Sequence, residues 1–273
     1  MSTAIRPPGN ALGAFARSAA RSALTLSGTV VATVIVWTVF LRTVNVSPFV
    51  AKSPMDVWNY LMTARNAAAN RSAIWSLLAR TLTDASLGFA LGLTLAATVS
   101  VLFYFSDTIE QMFVPTMTAL HAIPMVAVAP ILVLIFGRGL VGTAIIGSAI
   151  VFVPALLTML QGIRSAPRTD VDMCKAFGGS TWSSFTKVAL PHAIPTWFTA
   201  ARITVTTSIV GALLAEWLAS GAGLGGEMLR DANEFQFGRL WSSVVVLTIV
   251  CVVIYQFVAL VEAVIRSRMN SAR

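Results

Sequence analysis

Long uncharged stretches alternate with short polar ones along this chain, and the stretches set its architecture. A helix that crosses a bilayer needs about 20 mostly apolar residues. Five stretches come close to or exceed that length without a single charge: Leu24 to Leu41, Ala85 to Ser106, Gln111 to Gly137, Gly139 to Ile163 and Leu240 to Val261. A sixth, Trp197 to Leu218, qualifies once Arg202 and Glu216 are accepted near its ends, where long polar side chains reach the interface. The pattern predicts an all-α, polytopic membrane protein with about six transmembrane helices. The first stretch does not read as a removable signal segment, whose apolar core runs about 7–15 residues and ends in small side chains. It continues instead through Trp37, Val39, Phe40 and Leu41 into Arg42.

Six spans put both termini on one side. Arg6, Arg17 and Arg21 at the start and Arg266, Arg268 and Arg273 at the end favour the cytoplasm. This topology predicts cytoplasmic tails over 1–22 and 266–273, a transmembrane domain over 23–265, a cytoplasmic loop over 164–193, and outer segments over 43–83 and 219–239. Ten Lys and Arg residues then lie inside and eight outside. In the first outer segment Ser53 is placed to cap a helix that has Pro54 in its first turn. Val57, Trp58, Leu61 and Met62 share one face of it, suited to the outer interface.

Composition narrows the class. Only 11% of the 273 residues are charged and 56% are hydrophobic, against about 25% charged in soluble domains. The net charge of +8 would suggest nucleic acid in a soluble chain. Here the basic residues lie at termini and between apolar runs, where they meet lipid headgroups, and no basic patch alternates with aromatics as nucleic-acid binding requires. Cys174 and Cys251 have no metal-type spacing and imply no disulfide framework. No nucleophile elbow, no His-Glu-x-x-His and no phosphate-binding loop is present. The chain is therefore expected to carry no catalytic residue, metal or cofactor of its own, and any ATP it depends on must be hydrolysed by another chain.

The loop over 164–193 holds the most specific pattern. Gly178 and Gly179 separate two short helical stretches, and Ser180 is placed to cap the second. Trp182, Phe185 and Ala189 then share one face, and Pro191 is expected to close the helix. An aromatic face in a polar loop needs a surface to bury against, and in the cytoplasm that surface is expected to be another protein.

An acidic residue, a glycine six positions later, and an apolar residue ten after that followed by x-Leu-Pro are here Asp172, Gly178, Val188, Leu190 and Pro191. This spacing resembles the EAA loop of permease subunits of bacterial ATP-binding-cassette importers. Asp172 replaces the usual Glu, and Met173 and Cys174 replace two alanines. Ser47-Pro48-Phe49, Ser53-Pro54, Ala122-Ile123-Pro124 and Ala129-Pro130 are similar to the nitrate, taurine and aliphatic-sulfonate branch. Ala215-Glu216-Trp217-Leu218-Ala219 before Gly223-Leu224-Gly225 is similar to that branch and also to permeases for thiamine-precursor pyrimidines and riboflavin. The resemblance implies a loop that docks on an ATPase subunit carrying ATP and Mg, with Trp182 and Phe185 as apolar anchors. It also implies an extracytoplasmic solute-binding protein, a second permease copy and residence in the bacterial inner membrane.

Inside the spans several readings stay open. Pro115, Pro124 and Pro130 each remove a backbone donor, so Pro124 and Pro130 either free carbonyls along a path or simply kink the chain. Thr204 and Ser208 share a face at i and i+4 and either line a path or back-bond within their helix. Glu216 is a gate candidate near a span end. Gly88 and Gly92 predict close helix packing. His121 reads as a hydrogen-bonded interior residue, and His192 as an interface residue of the loop. A six-span secondary transporter or channel is the rival reading, and it would need ionisable groups buried between the span ends. An intramembrane enzyme would need paired catalytic groups at depth.

Overall fold

The computed structural model describes residues 28–44 and 46–271, and among them every regular element is a helix. The expected tail over 1–22 and the first residues of span one lie outside the described residues. Helix α1 (Gly28–Thr43) is mostly exposed, and Trp37 stacks on Trp241 with ring centroids 5.4 Å apart. Helix α2 (Pro54–Trp58) begins where the sequence places it. The Ser53 backbone N–H donates to Asp56 Oδ2 at 2.8 Å and the Asp56 N–H donates back to Ser53 Oγ at 3.2 Å, a reciprocal cap. These bonds hold the Asp56 carboxyl below its ordinary range.

Helix α3 (Ala67–Phe105) has 39 residues, about 58 Å at 1.5 Å per residue. Residues 67–83, expected in the outer segment, are therefore part of its first half. No glycine or proline interrupts them, so nothing stops the helix before the apolar stretch begins. The third stretch divides into α4 (Asp107–His121) and α5 (Met125–Phe136), bent by 102°. Pro124, at φ −60° and ψ 117°, precedes α5 and marks the break, whereas Pro115 and Pro130 lie inside α4 and α5. His121 is an exposed residue of the last turn of α4, not an interior one.

Helix α6 (Leu140–Arg164) leads to α7 (Arg168–Ala176) and α8 (Thr181–Ser184). A π-helical turn, Phe185–Ala189, joins α8 to α9 (Leu190–Ala215) as one continuous helix over Thr181–Ser220. Pro191 therefore does not close the helix. Its ring and missing N–H fall just after the widened turn, where Leu190 already donates five residues back to Phe185 O, and the helix absorbs it. A second π-helical turn, Glu216–Ser220, precedes α10 (Gly223–Asn233), and α11 (Phe237–Ser271) ends the fold. The expected tail from 266 continues α11 to Ser271.

Among the described residues four helices are long and apolar enough to cross a membrane, or five if α4 and α5 form one broken span, and α1 is shorter. The chain is a polytopic helical membrane protein. Its centre is α3, α6 and α9, with α11 laid on α9 and α10 on α3. Glycine makes the centre possible. A Cβ on Gly88 would lie 2.9 Å from Gly147 Cα, and one on Gly211 would lie 3.0 Å from the same atom, so three backbones meet at Gly147. Gly92 is as tight, since its Cβ would sit 2.8 Å from Val151 Cβ. In lipid, where burial from water drives little, such close approach is the main source of packing energy.

Overpacking an interior costs about 1–3 kcal/mol and more when backbone must move. Gly147→Leu is expected to lower the melting temperature of the detergent-purified chain sharply, while Gly28→Ala, whose Cβ meets nothing within 4 Å, leaves it unchanged. A Gly147→Leu melt equal to the parent's would disprove the three-helix contact.

Candidate functional site

The loop between α6 and α9 is two short helices turned by glycine. Gly178 has φ +81°, a left-handed conformation that side chains resist. Its N–H donates to Lys175 O, and the Gly179 N–H donates to Cys174 O at 2.9 Å, so the last carbonyls of α7 are capped by the turn. Ser180 Oγ accepts the Ser183 N–H at 3.2 Å and starts α8.

The two aromatics of α8 and its π turn part company. Phe185 is only 3% exposed, its ring 5.1 Å from Tyr104 and 5.4 Å from Phe105. It fills the chain's own interior beside Ile163, Ala189 and Ala193 and has no surface left for a partner, so the expected anchor role fails for this residue. Trp182 stacks on Phe105 at 5.8 Å with one face and stays 61% exposed. Phe177, at the end of α7, is 86% exposed, and Met173 is exposed one turn earlier. Asp172 is exposed, while Val188, Leu190 and Pro191 are half-buried.

This junction continues into a charge cluster. Arg164 lies over the Tyr104 ring at 5.6 Å and pairs with Asp107 and Glu110 at the start of α4. One arginine thereby ties the ends of α3, α4 and α6 to the ring set on which α8 sits. Spacing along the chain gives no sign of this, because 54 residues separate Arg164 from Glu110.

At the opposite end Glu216 is fully buried. One carboxylate oxygen accepts the Thr81 hydroxyl and the other the Gly225 N–H, both at 2.7 Å; the Thr81 hydroxyl oxygen accepts the Leu224 N–H at 2.9 Å. The carboxylate thus satisfies and electrostatically complements the first turn of α10 while holding it to α3. Gly223 has φ +74°, and a Cβ there would run into the Glu216 carboxylate. The spacing of Ala215-Glu216 and Gly223-Leu224-Gly225 has this clamp as its physical basis. Further along, Asp231 is buried and joined to Arg239. Burial pushes its carboxyl up, opposed by the hydrogen bond from Arg239.

In α9 the hydroxyls bond within the helix. Thr204 donates to Ala200 O at 2.8 Å and Ser208 to Val205 O at 2.7 Å. Ser208, but not Thr204, borders an apolar cavity of about 160 Å³ between α3, α9 and α11, beside Phe89 and Ile254. Pro124 and Pro130 keep the positions described above. The helices also bury more charge than the apolar stretches suggest: Asp84 at 8% exposure, Glu216, and Glu262 at 5%. Glu262 accepts from Thr199 and Arg266, both at 2.7 Å. It also faces Arg202 at 3.1 Å, close but not aligned as a hydrogen bond. The sequence clue was available, since Glu262 follows the last residue of the Leu240 to Val261 stretch. No group of metal-ligating side chains occurs among the described residues.

Residues 88–271 match the family described as "binding-protein-dependent transport system inner membrane component". The chain belongs to that family. It is an ABC transporter permease, a non-catalytic, multi-pass inner-membrane subunit of an importer. It is 28% identical to a Haemophilus influenzae protein named as a probable ABC transporter permease, over 76% of this chain and 82% of that one. Identity is 25% with the formylaminopyrimidine transport permease ThiX of Halalkalibacterium halodurans, covering 79% and 84%. With the taurine transport permease TauC of Escherichia coli it is 26%, covering 78% of each. Among solved structures, inward-facing MetNI methionine ABC transporter matches with a TM-score of 0.58 at 18% identity, over 74% of this chain and 99% of that one, a likeness of fold.

Removing the Glu216 carboxylate would leave Thr81 and the first turn of α10 without their acceptor, at a cost of about 1–3 kcal/mol. Glu216→Ala and Gly223→Ala are each expected to lower the melting temperature and speed protease cleavage within 219–239. Parent-like cleavage in both variants would show that the clamp does not hold α10.

Proposed function

We propose that this permease imports a small solute delivered by an extracytoplasmic binding protein, two copies of the chain enclosing the path. A separate ATPase pair, holding ATP and Mg, docks on α7 and α8. The observation that carries this reading is the set of apolar side chains Met173, Phe177 and Trp182, left uncovered on a loop whose one other aromatic ring, Phe185, is buried. Isolated apolar groups are common on surfaces; three on one short loop at the predicted cytoplasmic end suit a protein partner. The solute belongs with the sulfonate-like or pyrimidine and riboflavin-type molecules for which relatives are named.

Force has a physical route in this scheme. Closure of the ATPase pair moves α7 and α8; Trp182 and Phe185 press on Tyr104 and Phe105; Arg164 carries the displacement to α4 through Asp107 and Glu110. The bent α4 and α5 pair then opens the outer side, and hydrolysis resets it. Both termini and the loop over 164–193 face the cytoplasm in this reading. The rival secondary transporter gains no support from the buried charges of α9 and α11, because Glu262 is flanked by the opposite charges of Arg202 and Arg266.

The test is co-purification of the ATPase. Truncating a central anchor commonly costs 2 kcal/mol or more, roughly a 30-fold loss of affinity. Phe177→Ala combined with Trp182→Ala, and separately Gly178→Val, are expected to release the ATPase and uncouple hydrolysis from uptake while the permease still inserts. Normal association in both would remove the docking role. Labelling of Ser180→Cys by an impermeant reagent from outside intact cells would reverse the topology.

A further inference from the structure

A dry crevice and an excess of positive charge lie on the same face of the bundle. The crevice is the apolar cavity of about 160 Å³ that has α9 as its floor and α3 and α11 as its walls. Ala85 and Phe89 form one wall, Val205 and Ile209 the floor, and Ile254 the other wall. The two hydroxyls that border it are already engaged within their own helices: Ser86 donates to Thr83 O at 2.8 Å and Ser208 to Val205 O at 2.7 Å. No polar group is left to hold water, and an apolar void of this size stays dry. Ser86 is exposed while Phe89 and Ile254 are half-buried, so the crevice opens at the surface of the helices. Ile254 falls within the charge-free stretch Leu240 to Val261, and the medium at that depth is hydrocarbon.

The charge lies along the same stripe of α9. Arg202, Val205 and Ile209 stand at i, i+3 and i+7, so the guanidinium and the crevice floor share a face. Arg202 and Arg266 both turn to the single carboxylate of Glu262, and two positive charges thus meet one negative. Arg266 donates to that carboxylate at 2.7 Å. Arg202 makes no hydrogen bond among the described residues, since its Nε lies 3.1 Å from Glu262 Oε2 without being aligned to it. Its guanidinium lies 5.9 Å over the Tyr255 ring, and its side chain is 33% exposed. Glu262 is the first residue after the charge-free stretch, which sets this cluster at a membrane–water interface. A guanidinium there, with donors to spare, suits the oxygens of a phosphate.

We propose that crevice and cluster form one site for an anionic phospholipid, its phosphate against Arg202 and Arg266 and one acyl chain in the crevice. The spacing fits. Ile254 precedes Glu262 by eight residues, about 12 Å along α11, and Ser208 follows Arg202 by six, about 9 Å along α9. An acyl chain that starts at the interface and runs to the middle of a hydrocarbon core about 30 Å thick passes both depths. Basic pockets between spanning helices hold phospholipid headgroups on the same electrostatic ground. Because α11 is laid on α9 and scarcely meets α3, the lipid supplies the contact between those two walls. The site involves neither α7 and α8 nor α10, so it stands independently of any ATPase.

Native mass spectrometry of the detergent-purified full chain, titrated with dioleoylphosphatidylglycerol and with dioleoylphosphatidylcholine, measures the site. Phosphatidylglycerol is expected to bind about ten-fold more tightly, the equivalent of one hydrogen bond to a charged group. Arg202→Gln and Arg266→Gln should each remove most of that preference and leave phosphatidylcholine binding unchanged. Either variant keeps one arginine on Glu262, so the fold is retained. Ser86→Phe, at the open mouth, should weaken both lipids alike. If Ser86→Phe does not fold, phosphatidylglycerol with a mid-chain diazirine tests the crevice in the parent and is expected to label within 82–89, 205–209 or at Ile254. Equal binding of the two lipids, arginine variants that keep the parent's preference, or labelling confined to other segments would overturn the proposal. So would a second copy of the chain seated on this face, seen as an Ile254→Cys disulfide dimer that excludes phosphatidylglycerol.

Discussion

The contact of three backbones at Gly147 is the constraint on which the rest depends. Helices α3, α6 and α9 approach so closely there that a single Cβ on Gly88 or Gly211 would meet main chain. Close approach brings Thr81 of α3 within reach of Glu216 beyond the end of α9, and it brings Tyr104 of α3 under Phe185 at the other end. Both polar and aromatic contacts need positions fixed within a few tenths of an ångström. A looser bundle would leave Glu216 as a buried, partnerless carboxylate, which is far less tolerable than an unfilled apolar gap.

Charge in this molecule follows a simple rule of depth. Arginines and carboxylates near the ends of the helices meet across elements, as in the Arg164 and Glu262 clusters. Such pairs contribute little net stability after desolvation, but they fix which helix ends lie together. The aromatic set of Tyr104, Phe105, Trp182 and Phe185 adds about 0.5–1.5 kcal/mol per well-placed pair, and it does so where the loop joins the bundle. Loop and bundle are therefore one mechanical unit, although they read as separate segments in the sequence.

What the sequence made legible was whatever depends on neighbours along the chain. Ser53 and Ser180 cap helices as their spacing indicates, and Gly178 turns as expected, because a cap or a left-handed turn is decided within four residues. The helical, membrane-spanning class followed from charge-free length. Helix limits are less legible: the charge-free stretch begins at Ala85, yet charge does not stop a helix and α3 starts at Ala67 and runs through Arg80 and Asp84. Side-chain fate was least legible. Phe185 and Trp182 look alike on a helical projection, and only the position of Tyr104 and Phe105, some 80 residues away, sends one inward and leaves the other out. Likewise the partner of Arg202 is a glutamate 60 residues later.

The helix over Thr181–Ser220 contains two π-helical turns, one at each functional end. Each inserts one residue into the α-helical count, and an α-helix advances about 100° per residue. The turns therefore act as phase adjusters. The face that carries Trp182 is offset by about that angle from the face an unbroken α-helix would aim at α6, and Glu216 is offset again at the far end. Because the helix between them is continuous, the two offsets are locked together. Resolving either turn into regular α-helix would swing one end of the rod about its own axis relative to the other, converting a change in hydrogen-bond register at the α8 end into torque on the clamp that holds α10.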